Sequence, residues 1–319
     1  MNEFEIIKRY FQRKIDDPDL KLGIGDDCAI FNFGSNNVAV TTDTLVEGVH
    51  FFPDVEPHAL GYKSLAVNIS DLAAMGAVPR YFTLAMTIPE YNQQFLEQFT
   101  HGLFEIANRH QIRLIGGDTT RGPLSITITA IGEISHGKEI TRHKAKIGDD
   151  IYVSGDLGGA ALAVFLKSNQ THLNDQYLEI EAFKRLEYPI PRVNLGLKLV
   201  GIASSMLDLS DGLSSDLEHI VRLSNVGAII DLDLIPYSQS LYEIDMLNRI
   251  NMAISGGDDY ELCFTSDPEN REAISKLSTE LNIPVTIIGS ITDNIGNICY
   301  HMKGMPFELH TKGYNHFTN

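Results

Sequence analysis

Aspartate on glycine- or hydroxyl-framed segments recurs along the chain: Gly25-Asp26-Asp27, Thr41-Thr42-Asp43, Ser70-Asp71, Gly116-Gly117-Asp118, Asp208-Leu209-Ser210-Asp211-Gly212 and Gly256-Gly257-Asp258-Asp259. These segments lie far apart, mostly where an apolar run ends. Packing does not require them, because ionised carboxylates are costly to gather unless a cation neutralises them. Hard divalent cations such as magnesium take oxygen ligands of this kind, and glycine lets a phosphate approach the backbone. A magnesium-nucleotide site assembled from several loops is therefore the expectation that any fold must satisfy.

A chain of 319 residues, 43% of them hydrophobic, is long enough for two domains with sizeable cores. The net charge of -17 argues against a nucleic-acid or anionic-membrane surface, which needs a basic face. Most of that acidity serves solubility. The three cysteines, Cys28, Cys263 and Cys299, have no zinc or redox spacing and fit a reduced cytoplasmic compartment. The start reads as an amphipathic helix without the basic-then-apolar order of a signal peptide. No apolar run reaches the length of a membrane span.

Periodicity predicts helices over 3–15, 58–75 and 92–110, the last with Phe95, Phe99, Leu103 and Ile106 as its buried stripe. Strands are predicted over Val38–Thr42 (ending at Asp43), Tyr81–Ile88, Ile112–Ile115 (short and buried) and Ser125–Ile134. The polar stretch 135–150 is the expected domain seam, which divides the chain into 1–137 and 138–319. Beyond it, strands near 151–153, 206–209, 228–232, 261–265, 284–289 and 297–301 alternate with helices over 160–167, 177–187, 193–203, 213–224, 239–247 and 269–281. The fold class is α+β (mixed α/β), with an N-terminal sheet and covering helices followed by an α/β domain.

Each acidic segment also has a plain structural reading. Gly23-Ile24-Gly25-Asp26-Asp27 reads first as a polar turn. Thr41-Thr42-Asp43 is equally a source of hard-oxygen ligands or a helix N-cap or turn, and His50, a few residues on, gains interest through these neighbours. Asp71 sits inside a predicted helix, where it costs up to roughly 0.7 kcal/mol in propensity. Because its surroundings are nearly uncharged, an inward, ligating position is the better reading. Gly116-Gly117-Asp118 is a ligand-binding strand end or a hairpin turn. Asp211 is a phosphate-site residue or a helix cap, and capping leaves Asp208 unexplained. No Walker loop, protein-kinase set, Gly-x-Ser-x-Gly elbow or zinc helix is present, so any ATP chemistry must run through acidic turns and metal ions.

Taken in order, GIGDDCA at 23–29, TTDTLVEGVHF at 41–51, NISDLAAMGA at 68–77, GGDTTRGP at 116–123, DLSDGL at 208–213, GGDDYELCF at 256–264 and KGYNHF at 312–317 closely resemble the thiamine-monophosphate kinase family. That family belongs to the superfamily of aminoimidazole ribonucleotide synthetase and selenophosphate synthetase. The resemblance implies a magnesium-assisted, single-step transfer from ATP to thiamine monophosphate, giving thiamine diphosphate with no phosphoenzyme and no protein nucleophile. It implies that Asp27, Thr41, Thr42, Asp43, Asp71, Asp118, Asp208 and Asp211 hold several magnesium ions. It further implies that Gly117, Asp118, Arg142 and Ser210 contact ATP, that His50, Asp258 and Tyr314 contact the thiamine phosphate, and that a homodimer forms through the N-terminal domains. Position 258 is aspartate where the family usually has glutamate. His101, which stands where some members have an aromatic ATP contact, is left out of the site. The rival readings are a sister enzyme of the superfamily and a protein that binds magnesium-ATP without consuming it.

Overall fold

The computed structural model describes residues 19–22, 26–32, 34 and 36–309. The helix expected over 3–15, Gly23 to Gly25 and the terminal KGYNHF segment with Tyr314 lie outside the described residues. In chain order the first half comprises β1 (Leu20–Leu22), β2 (Ala29–Asn32), β3 (Asn37–Val46), α1 (Pro57–Ala74), β4 (Val78–Ile88), α2 (Gln93–His110), β5 (Arg113–Arg121) and β6 (Ser125–Ile134). Its strands form one sheet in the order β1-β2-β3-β6-β4-β5, antiparallel except where β4 meets β5. Residues 135–149 carry neither helix nor strand.

The second half comprises β7 (Asp150–Ser154), α3 (Gly159–Asn169), α4 (Gln176–Glu187), α5 (Val193–Leu199), β8 (Ser205–Asp208), α6 (Leu213–Ser224), β9 (Gly227–Asp231), α7 (Met246–Ser255), β10 (Leu262–Ser266), α8 (Arg271–Leu281), β11 (Val285–Thr292), β12 (Ile298–Met302) and β13 (Met305–Phe307). Its strands form a second sheet in the order β13-β12-β9-β11-β7-β10-β8. Among the described residues no helix is long and apolar enough to cross a membrane.

The element α1 organises both halves. All of it except Pro57, His58 and Asp71 is buried. An all-round apolar helix belongs in an interior, and this one has a single charge before Asp71, at Lys63. One side packs on the first sheet through Leu65, Ile69 and Leu72, whereas Ala74 belongs to a core with Leu195, Leu199 and Met206 from the second half. Small residues allow close approach. A Cβ on Gly61 would lie 1.9 Å from the Phe99 carbonyl oxygen of α2, and one on Gly102 would lie 1.9 Å from the His58 carbonyl oxygen.

Four sequence expectations are corrected. First, β3 does not stop before Asp43 but continues to Val46, because Thr41, Thr42 and Thr44 are β-branched residues that suit a pleated strand. Second, Ile112–Ile115 is not a short buried strand: β5 runs from Arg113 to Arg121, exposed throughout at a sheet edge, and places Gly117 and Asp118 in mid-strand. Third, the helix expected over 239–247 is a 3-10 turn, Gln239–Glu243, followed by α7, whose start is capped by Asp245 accepting from the Leu247 and Asn248 amides. Fourth, the helix expected over 193–203 ends at Leu199.

The α1–α2 crossing makes a direct prediction. Gly61→Ala forces a backbone clash with Phe99 and is expected to lower unfolding stability by about 1–3 kcal/mol. Urea denaturation measures this, and an unchanged midpoint would contradict the close approach.

Candidate functional site

Asp27, Asp71 and Asp208 place carboxylate oxygens within 4.8 Å of one another. They arrive on different elements: the turn before β2, the interior of α1 and the end of β8. On β3, alternation sends Thr41 and Asp43 to the helix-covered face. The Thr41 hydroxyl donates to Asp71 Oδ2 at 2.5 Å, and the Asp43 amide donates to Asn68 Oδ1 at 3.3 Å. Asp43 itself hydrogen-bonds Asp71. Arg142 answers this charge with a bidentate pair, its Nε 2.9 Å from Asp27 Oδ2 and its Nη2 2.5 Å from Oδ1. Its amide also donates to Asp26 at 3.2 Å.

Burial dominates the acid–base chemistry here. It pushes Asp43 up to about 6, with Asp27 adding to the rise against the opposing hydrogen bond from Asp71. It pushes Asp26 to about 7, reinforced by the Asp27 charge. Burial and the neighbouring carboxylates hold Asp71 and Asp208 well above the ordinary range. Among the described residues Arg142 is the one guanidinium paired with this cluster, too little for this many carboxylates. Hard oxygens converging from a turn, a helix and a strand end, with their charge largely unmatched, fit a magnesium site by the chemistry of the donors.

Asp208 and Asp211 bracket the turn into α6. The Asp211 and Gly212 amides both donate to the buried Asp216 carboxylate at 3.1 Å, so Asp216 fixes this turn. The helix is capped by Gly212 with no side-chain cap, which overturns the reading of Asp211 as a helix cap. Asp211 and Ser210 instead line a cavity of about 650 Å³ that also reaches Asp43, Asp71 and Asp208.

The cavity extends to His50, Phe51, Phe52, Phe183, Glu187 and the 255–260 loop. His50 Nδ1 accepts the Val46 amide at 3.0 Å. Asp258 and Tyr260 have left-handed backbones, φ 67° and 49°. Their amides donate to the carbonyls of Ser210 and Leu209. The flanking acids lock the loop: Asp259 accepts the Gly158 amide at 3.0 Å, and Glu261 pairs with Arg185 at 3.3 Å and with Arg192 Nε at 2.6 Å. The Lys63 ammonium lies 2.8 Å from Asp258.

Of the residues expected at the site, the structure brings together Asp27, Thr41, Asp43, Asp71, Asp208 and Arg142, and places Asp211, Ser210, His50 and Asp258 on the adjoining cavity. Thr42 is not among them: its hydroxyl lies 2.9 Å from that of Thr129 on the opposite sheet face. Gly117 and Asp118 stand on the exposed β5 edge, paired in register with Leu84 and Ala85, and do not line the cavity. His101 packs on His58, ring centroids 5.0 Å apart. Sequence reasoning missed Asp216, Lys63 and Glu187. Only Lys63 carried a signal, as the sole charge in the first half of an otherwise apolar helix.

Comparison with known proteins fits this geometry. The family models described as AIR synthase related protein, N-terminal domain and C-terminal domain, match residues 25–134 and 146–299. The fold and its acidic cleft are thus those of an AIR synthase related protein. The thiamine-monophosphate kinase of Escherichia coli (strain K12) is 46% identical over 99% of this chain and 98% of its own. The crystal structure of the Stenotrophomonas maltophilia K279a thiamine-monophosphate kinase is 43% identical, covers 96% of this chain and 98% of its own, and gives a TM-score of 0.81. The structure of AaThiL complexed with AMPPCP and TMP is 27% identical, covers 99% of this chain and 97% of its own, and gives a TM-score of 0.84. The chain belongs to the thiamine-monophosphate kinase family.

The raised carboxyls make stability depend on pH. A group whose folded pKa exceeds its unfolded value contributes stability that is complete below the unfolded pKa and lost as pH rises through the folded one. For Asp26 and Asp43 that loss runs from pH about 4 to about 7. The melting temperature of metal-stripped protein is expected to fall by several degrees from pH 5 to pH 8. Added magnesium is expected to restore more at pH 8 than at pH 5. Equal recovery at both would show that these acids do not hold the cation.

Proposed function

We propose that this chain phosphorylates thiamine monophosphate with ATP, giving thiamine diphosphate and ADP. The observation that carries the reading is the continuity of the acid cluster with a cavity walled by aromatic and acidic side chains. The likeness to AaThiL complexed with AMPPCP and TMP supports both substrates.

A phosphate oxygen of thiamine monophosphate is already an anion near neutral pH and attacks the γ-phosphorus of ATP. The bond from that phosphorus to the β,γ-bridging oxygen breaks, and ADP leaves with the electron pair. No protein nucleophile or strong general base is required, so the protein's task is alignment and charge compensation. Asp27, Thr41, Asp43, Asp71, Asp208 and Asp211 would hold magnesium ions, which supply the positive charge that offsets repulsion between the two phosphates. Arg142 guards Asp27 in the absence of cations and becomes available to an ATP phosphate once Asp27 is otherwise engaged. Ser210 stands at the nucleotide side, and His50 and Asp258 stand at the acceptor side. On this reading residues 1–137 form the ATP- and metal-binding domain, residues 138–319 form the second domain, and the three free cysteines suit the cytoplasm.

The same reading includes a homodimer through the first sheet. The β5 edge carries Leu114 and the 57% exposed Ile115, next to exposed Tyr81 on β4. Such an apolar edge calls for a covering partner. Gly117 and Asp118 lie on this edge, so a role for them as ligands requires a site completed by the second copy.

An ADP-release assay with and without thiamine monophosphate tests the activity: ADP is expected only when the acceptor is present. Asp43→Asn is expected to lower turnover roughly 100- to 1,000-fold with its melting temperature retained, and near-normal turnover would remove Asp43 from the mechanism. Ile115→Asp is expected to shift the dimer toward monomer in light scattering, and an unchanged mass would place the interface elsewhere.

A further inference from the structure

Lys63 has no role in the scheme above, yet it stands in the cavity wall. It lies on the same face of α1 as Val67 and Asp71, at i, i+4 and i+8. One straight helix therefore presents Asp71 to the acid cluster and Lys63 about 12 Å further along the cavity. Lys63 is 4% exposed, and its ammonium has Asp258 as its ion-pair partner, 2.8 Å away and from the opposite half of the fold. Tyr260 hydrogen-bonds Asp258 and lies within electrostatic reach of Asp43 and Asp208, so this ion pair borders the acid cluster.

Burying the Lys63 ammonium against a half-buried Asp258 is a poor way to gain stability, since apolar residues of similar size often serve as well. Its cost is better explained if the pair has a second use. Both members face the cavity, and Asp258 is held there in a left-handed backbone conformation that costs of order 1–3 kcal/mol. Resting on the kinase reading above, thiamine monophosphate carries the matching charges: a permanently cationic thiazolium ring joined by a short ethyl chain to an anionic phosphate.

We propose that Lys63 binds the phosphate of thiamine monophosphate, and that the Lys63–Asp258 pair opens around the substrate so that Asp258 faces the thiazolium cation. Lys63 and Asp258 then each have a partner before and after binding, and the remaining negative charge of the phosphate monoester falls to the adjoining cation site. Free thiamine lacks the phosphate. Drawing Asp258 to its ring would leave the Lys63 ammonium buried and unpaired, so Lys63 makes the site prefer the phosphorylated acceptor.

Calorimetric titration of thiamine monophosphate and of free thiamine, in the presence of magnesium and AMPPCP, tests the assignment. Lys63→Met is expected to weaken thiamine monophosphate roughly 10- to 100-fold, to leave free thiamine unchanged or tighter, and to leave AMPPCP binding intact. Lys63→Arg is expected to recover most of the loss. Equal weakening of both acceptors, or an unchanged affinity for thiamine monophosphate, overturns the proposal. If Lys63→Met loses AMPPCP binding, Lys63→Gln takes its place, and loss in both makes Lys63 a structural residue and also overturns it. Wild-type protein that releases no ADP with thiamine monophosphate sinks the kinase reading itself. An active wild type with an indifferent Lys63→Met sinks only the role of Lys63.

Discussion

Four carboxylates, Asp27, Asp43, Asp71 and Asp208, share one largely water-excluded region, and among the described residues a single guanidinium faces them. Left to themselves these groups would separate or take up protons, and the elevated Asp43, Asp71 and Asp208 show the second response. Separation is blocked because each acid is fixed to an element packed for other reasons. Asp43 belongs to a strand hydrogen-bonded along its length to β6, and Asp71 to a helix enclosed by both halves of the molecule. Apolar packing at a distance thus offsets an electrostatic cost concentrated in the cleft, and a bound cation converts that cost into affinity.

The helix α1 shows how tightly packing and chemistry are joined. Its small residues set how near its neighbours come: Gly61 admits the α2 backbone on one side, and Ala73 meets Gly196 of α5, where a Cβ would lie 2.1 Å from the Ala73 carbonyl oxygen. Between those contacts the helix has almost no freedom to slide. Asn68 reinforces this, because its side-chain amide donates to the Ser64 carbonyl while its oxygen accepts from Asp43, tying helix to strand beside the acids.

Much of this was legible in the sequence. The apolar stripe of α2, the alternation of β6 and the near-uncharged run around Asp71 each reflect a local period that burial preserves. The errors arose where tertiary position decides. Ile112 to Ile115 has the composition of a buried strand, yet β5 is a sheet edge, and nothing local distinguishes the two. Thr41-Thr42-Asp43 looks like a turn, but alternation within a strand sends Thr41 and Asp43 inward and Thr42 to the opposite face. Asp216 was invisible because its role is to hold backbone amides of a turn whose shape appears only on folding. The break before α7 was available in principle, since Asp245 two residues ahead of Leu247 is an ordinary capping signal.

Asp71 and Lys63, at the two ends of one stretch of the cavity-lining face of α1, follow different electrostatic rules, and the helix sets the distance between them. At Asp71 negative charge exceeds positive and a cation is needed; at Lys63 the charges are balanced and exchange is enough. A helix neither stretches nor shortens appreciably, so the spacing between these ends is fixed by backbone rather than by flexible side chains. That matters because phosphoryl transfer depends on holding two polyanions in line at short range, where small misplacement is costly. Carrying both ends on one buried helix makes the alignment a property of the core, while the strained 256–260 loop, locked from behind by Asp259 and Glu261, supplies the opposing wall from the other half of the molecule.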